Sequence, residues 1–110
     1  MASVDFLIKQ FLTPDKKNLD LSNQGIGDKG AITLSKNKNL RRLKKLILPN
    51  NNISDEGCAA IANSENFKQL TDLDIYGNVI SDDGVKAIAE SPYMSNLKKL
   101  SLYGNLVEDE

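Results

Sequence analysis

The sequence predicts an α/β solenoid, a stack of strand-and-helix units that repeat every 27 residues with a parallel sheet along one side. Three observations carry this. The stretch LKKLILPNNNI (Leu43 to Ile53) returns as LTDLDIYGNVI (Leu70 to Ile80) and as LKKLSLYGNLV (Leu97 to Val107). The second leucines of these copies, Leu46, Leu73 and Leu100, are 27 residues apart, and one further step back reaches Leu19 in KKNLDLSNQGI without a gap. Within each copy the leucines alternate at period 2, as on one side of a strand, and are followed by a run of small and aliphatic residues suited to a short helix.

Taken in order, the opening segment is helical. Val4, Leu7, Ile8, Phe11 and Leu12 recur at i, i+3, i+4, i+7 and i+8, which places them on one helix face, and Ser3 is the expected N-cap. Val4 falls in register with Ala31, Cys58 and Val85, and Leu7 with Leu34, Ile61 and Ile88. The segment is therefore the helical half of a repeat without its strand, fit to cover the apolar end of the stack. Thr13-Pro14-Asp15 stops it, because proline lacks a backbone donor and disfavours helix in the residue before it.

From Asn18 onward, Leu19 and Leu21, Leu46 and Leu48, Leu73 and Ile75, and Leu100 and Leu102 point to one side of successive strands. Asn51, Asn78 and Asn105 share a slot at the strand exit, where a short amide can satisfy backbone groups of its own turn and the next. Gln24 replaces it in the first copy. Asp28, Asp55, Asp82 and Asp109 share the slot at the helix start, where a carboxylate accepts from exposed N–H groups, and Gly30, Gly57 and Gly84 follow two residues later. Leu40, Phe67 and Met94 share a slot expected to fill the core where the chain turns back, and Pro92 ends the helix before it.

The pattern LxxLxLxxNxI followed by SDEGCAAIA or SDDGVKAIA resembles the leucine-rich-repeat family, and is similar to its ribonuclease-inhibitor-like type. The likeness runs from about Lys16 to the end, with the opening helix as a partial copy. It implies a leucine-rich-repeat solenoid, curved and right-handed, with strands on the concave side and helices on the convex side. It also implies protein binding, with partners that differ from member to member. On this ruler the chain is one domain over 1–110: a capping helix over 1–15, full repeats over 16–42, 43–69 and 70–96, and a partial repeat over 97–110. Three arrangements fit the last strand: continuation in a longer array, pairing with a second copy, or an edge tolerated as it stands.

Composition narrows the function classes. With 110 residues and a net charge of -1, bulk attraction to a polyanion is not expected, and nucleic acid is an unlikely partner. The opening MASVDFLIKQFL lacks the cationic start and unbroken apolar run of a secretory signal, and no apolar stretch is long enough to span a membrane, so the expectation is a cytoplasmic protein without membrane partners. There is no histidine, no G-x-S-x-G run and no phosphate-cradling loop, so no enzyme and no cofactor are expected. Cys58 aligns with Ala31 and Val85 and reads as core rather than as a reactive thiol, while Gly77 and Gly104 in their YGN turns read as tight bends. The pairs Asp55-Glu56 and Asp82-Asp83 recur once per repeat at a helix start, which indicates capping; a calcium loop would concentrate several oxygen ligands, so no metal is expected.

The remaining candidate surface is the concave face. Residues between the inward leucines align into three rows: Asn18, Lys45, Asp72 and Lys99; Asp20, Ile47, Asp74 and Ser101; Ser22, Pro49, Tyr76 and Tyr103. Tyr76 and Tyr103 are expected side by side, about 5 Å apart on neighbouring strands, next to Pro49 and an exposed Ile47. Tyrosines give large amphipathic contact area at low entropic cost. The expected partner-binding residues are Lys45, Ile47, Pro49, Asp72, Asp74, Tyr76, Lys99, Ser101 and Tyr103, holding a protein of unknown identity. Lys16, Lys17, Arg41, Arg42, Lys44, Lys45, Lys98 and Lys99 gather where strands begin, and Asp28, Asp55, Glu56, Asp82, Asp83 and Glu108 to Glu110 where they end, so one rim should be basic and the other acidic. A second expectation is structural: a homodimer through the edge from Leu97 to Val107.

Overall fold

The computed structural model describes residues 3–107. Helix α1 (Val4–Phe11) is followed by three strand-helix steps and a fourth strand: β1 (Asn18–Asp20), α2 (Gly27–Lys36), β2 (Lys45–Ile47), α3 (Asp55–Ala62), β3 (Asp72–Asp74), α4 (Asp82–Glu90) and β4 (Lys99–Ser101). Single 3-10 turns, Lys38–Leu40 and Glu65–Phe67, lead from α2 and α3 toward the next strand. The strands form one parallel sheet in the order β1-β2-β3-β4, and the register pairs Leu19 with Leu46, Leu46 with Leu73, and Leu73 with Leu100. This is an α/β repeat solenoid.

Inward leucines build the core. Leu19, Leu21, Leu46 and Leu48 have no exposed surface, and Leu40, Phe67 and Met94 are buried behind them. In the last repeat Leu97, Leu100 and Leu102 are only half-buried. Ser3 caps α1 by accepting the Phe6 N–H at 3.2 Å, and the helix buries Leu7 and Ile8 against the first repeat. Phe11, expected on that face, is 40% exposed. Its position one repeat on is Lys38, which lies past the end of α2 at Lys36, in the 3-10 turn Lys38–Leu40.

The asparagine slot works as a seam between repeats, in the reverse direction to the one expected: each amide serves the preceding repeat as well as its own turn. Asn51 Oδ1 accepts the N–H groups of Gln24 and Ile26, and its Nδ2 donates to the carbonyls of Leu21 and Pro49. Asn78 does the same one step on, with Asn51 and Ile53 as donors and Leu48, Ile75 and Tyr76 as acceptors. The residue before each amide has positive φ: Asn23 at 59°, Asn50 at 58°, Gly77 at 68° and Gly104 at 77°. The strand exits therefore share one left-handed bend, filled by the two residue types that adopt it at least cost.

The aspartate slot also acts across repeats. Asp28 lies in the first turn of α2 but accepts from Ser54 N at 2.7 Å, Ser54 Oγ at 2.5 Å and Gly57 N at 3.0 Å, all at the start of α3. Asp55 repeats the clasp on Ser81 and Gly84 of α4. Unpaired N–H groups at the starts of α3 and α4 are thus met by the carboxylate of the helix before each. Asp109 lies outside the described residues.

Candidate partner-binding face

Parallel pairing puts every strand start on one edge of the sheet. It also sets the outward side chains in straight rows, with Lys45 paired to Asp72, Asp72 to Lys99, Ile47 to Asp74, and Asp74 to Ser101. Lys45, Ile47, Asp72, Asp74, Lys99 and Ser101 line a single open hollow on this face, and Leu73 contributes to its lining. Ile47, expected to be exposed, is half-buried, because the flanking side chains of β1 and β3 close over part of it.

Pro49, Tyr76 and Tyr103 continue the rows beyond the hollow. The backbone ladder reaches that far: Asn23 N donates to Pro49 O, Asn50 N to Tyr76 O, and Gly77 N to Tyr103 O. The Tyr76 and Tyr103 rings stack with centroids 6.0 Å apart and planes at 23°. Tyr76 is 42% exposed and Tyr103 80%. Gly77, before the Asn78 slot, makes this close stacking of turns possible, since a Cβ there would come 2.2 Å from Asn50 Oδ1.

The aspartates of the face have structural bonds that alternation alone did not reveal. Asp74 Oδ1 accepts the Tyr76 N–H at 3.0 Å and so fixes the turn that presents the ring. Asp20 accepts from both the amide and hydroxyl of Ser22 in the first repeat. Asp72 accepts the Thr71 hydroxyl at 3.0 Å. The D-x-[ST/Y] spacing on strands 1 and 3 is the signal from which these turns could have been read.

Around the sheet the rims differ in charge. Lys16, Lys17, Arg41, Arg42, Lys45, Lys98 and Lys99 are exposed at the strand starts, with Lys44 half-buried, while Glu56, Asp82 and Asp83 are exposed where the helices begin. Cys58 is buried: its Sγ donates to Gly84 O at 3.4 Å, and burial, with Asp55 nearby, pushes the thiol up to about 12. Among the described residues no group of His, Cys, Asp and Glu is arranged to hold a metal ion, and no helix is long and apolar enough to cross a membrane.

A parallel ladder in 27-residue register, sealed by asparagines and presenting one row-ordered face, defines a repeat solenoid of the strand-helix kind. The model of the family described as Leucine Rich repeat matches residues 17–35, 36–62 and 69–89, more than half of the chain. The chain belongs to the leucine-rich-repeat family, whose repeats generally mediate protein–protein interaction without catalysis. No curated protein matches it.

Proposed function

We propose that this chain is a non-catalytic protein-binding module of the ribonuclease-inhibitor-like type, and that its partner lies on the concave strand face over Ile47, Pro49, Asp72, Asp74, Tyr76, Ser101 and Tyr103, with Lys45 and Lys99 beside them. The observation that carries the reading is the stacked, solvent-exposed Tyr76–Tyr103 pair standing next to a partly apolar hollow. Rigid aromatic side chains beside a recess are favoured anchors for a partner. The aspartates orient the partner by pairing with its basic groups. A protein captured from lysate by the natural chain and lost with Tyr76→Ala/Tyr103→Ala, both folded by circular dichroism, supports this reading; equal capture by the two would overturn it.

A second reading is favoured by a different observation. Tyr103, Leu106 and Val107 are exposed at 80%, 61% and 38%, next to half-buried Leu100 and Leu102. This apolar edge, Leu97 to Val107, suits pairing with a second copy. Sedimentation equilibrium at high micromolar concentration tests it, and a monomer mass there removes it.

A further inference from the structure

The rows of the strand face are unequal in charge. Register sets Asp72 between Lys45 and Lys99, two cations, whereas Asp74 stands between Ile47 and Ser101. Asp74 Oδ1 is occupied by the Tyr76 amide, and among the described residues Oδ2 accepts no hydrogen bond. This carboxylate is half-buried, in a hollow whose lining includes Ile47 and Leu73, so apolar surface has displaced part of its hydration. A cation brought to such an oxygen interacts more strongly than it would in open water.

One step along the same strand direction is Tyr76, stacked on Tyr103. A carboxylate oxygen beside an exposed aromatic pair meets the two demands of a guanidinium, which donates in a planar fork and stacks on aromatic faces. A lysine ammonium is compact and more strongly hydrated, and uses only the first of these features. Lys45 and Lys99 oppose any cation, but Asp72 lies between them, which leaves the hollow balanced and the recognition local.

We propose, building on the protein-binding reading, that the partner inserts one arginine side chain at Asp74, its guanidinium bonded to Oδ2 and its plane laid against the Tyr76–Tyr103 pair. The probe is the blocked pentapeptide Thr-Val-Arg-Val-Thr, compared with the same peptide carrying lysine or citrulline at the centre, titrated to about 5 mM into the isotopically labelled chain. The arginine peptide is expected to shift the amides of Asp74, Tyr76 and Tyr103, with binding at least about tenfold weaker for lysine and for citrulline. Asp74→Asn should cause a comparable loss while keeping an Oδ1 acceptor for the Tyr76 amide. Asp72→Asn, whose carboxylate stands between Lys45 and Lys99, should weaken the arginine peptide less than Asp74→Asn does.

No shift at these amides, an equal response to citrulline, or an equal loss in Asp72→Asn would overturn the proposal. If Asp74→Asn still captures a partner that the tyrosine double variant loses, the arginine assignment fails and the protein-binding reading stands. Tyrosine-independent capture with an arginine-specific peptide response would do the opposite.

Discussion

Asn78 concentrates much of the order of this chain in one buried side chain. It is 3% exposed, accepts from the amides of Asn51 and Ile53, and donates to three carbonyls. Removing it strands several backbone groups where water cannot replace it, each at about 1–3 kcal/mol. Asn78→Ala should therefore destabilise by about 3 kcal/mol or more, read as a lower urea midpoint at unchanged slope. Asn105→Ala should cost less, because that amide is half-buried. A repeating asparagine was plain in the sequence; that it reaches back to the preceding repeat was not, because spacing gives no direction.

Asp55 supplies a test by pH. Bonds from the Ser81 hydroxyl and amide, and from the Gly84 amide, hold its carboxyl below the ordinary 3.8. A group with a depressed folded-state value stabilises fully above the unfolded value, and that stabilisation is lost as pH falls through the folded one. Melting temperature should thus decline below about pH 4, and Ser81→Ala, which removes the leading cause, should make the decline shallower. An unchanged acid limb in Ser81→Ala would show that the clasp does not act on stability.

At the level of strands, turns and helices, the strand exit is the constrained element. Gly77 has φ +68° and no room for a Cβ, since Asn50 Oδ1 would lie 2.2 Å away. Gly77→Ala should cost about 2 kcal/mol or more, from the left-handed backbone and the displaced neighbour together. Asn50→Ala meets only the first of these and should cost about 1 kcal/mol. Chemical denaturation of the two variants separates the effects. The period-2 leucines, the helix runs and Ser3 as N-cap were legible because they depend on local geometry. Phe11 was misplaced for a non-local reason: the helix face was read correctly, but the matching position one repeat on lies past the end of α2.

Across the whole stack, burial falls toward the last strand. The inward residues of β1 and β2 have no exposed surface, those of β3 and its exit have 1–2%, and Leu100 and Leu102 are half-buried. In a solenoid each repeat contacts only its neighbours, so opening should start where the neighbour term is smallest. Amide hydrogen exchange is expected to protect β2 and β3 most and β4 least, and uniform protection across the four strands would show instead a single cooperative unit. Leu46→Ala should cost about 2–5 kcal/mol, and Leu100→Ala visibly less.

The repeat length, the inward leucines, the parallel order of strands and the rows of the outward face all follow from residue spacing, because period 2 and a 27-residue step are properties of covalent order. Family membership rests on the same residues. Contacts between repeats are different. The back-reaching asparagine seam, the aspartate that clasps the next helix and the partial cover over Ile47 depend on how neighbouring turns meet in space. Those meetings are fixed by backbone bends and burial, which act between residues 25 to 30 positions apart.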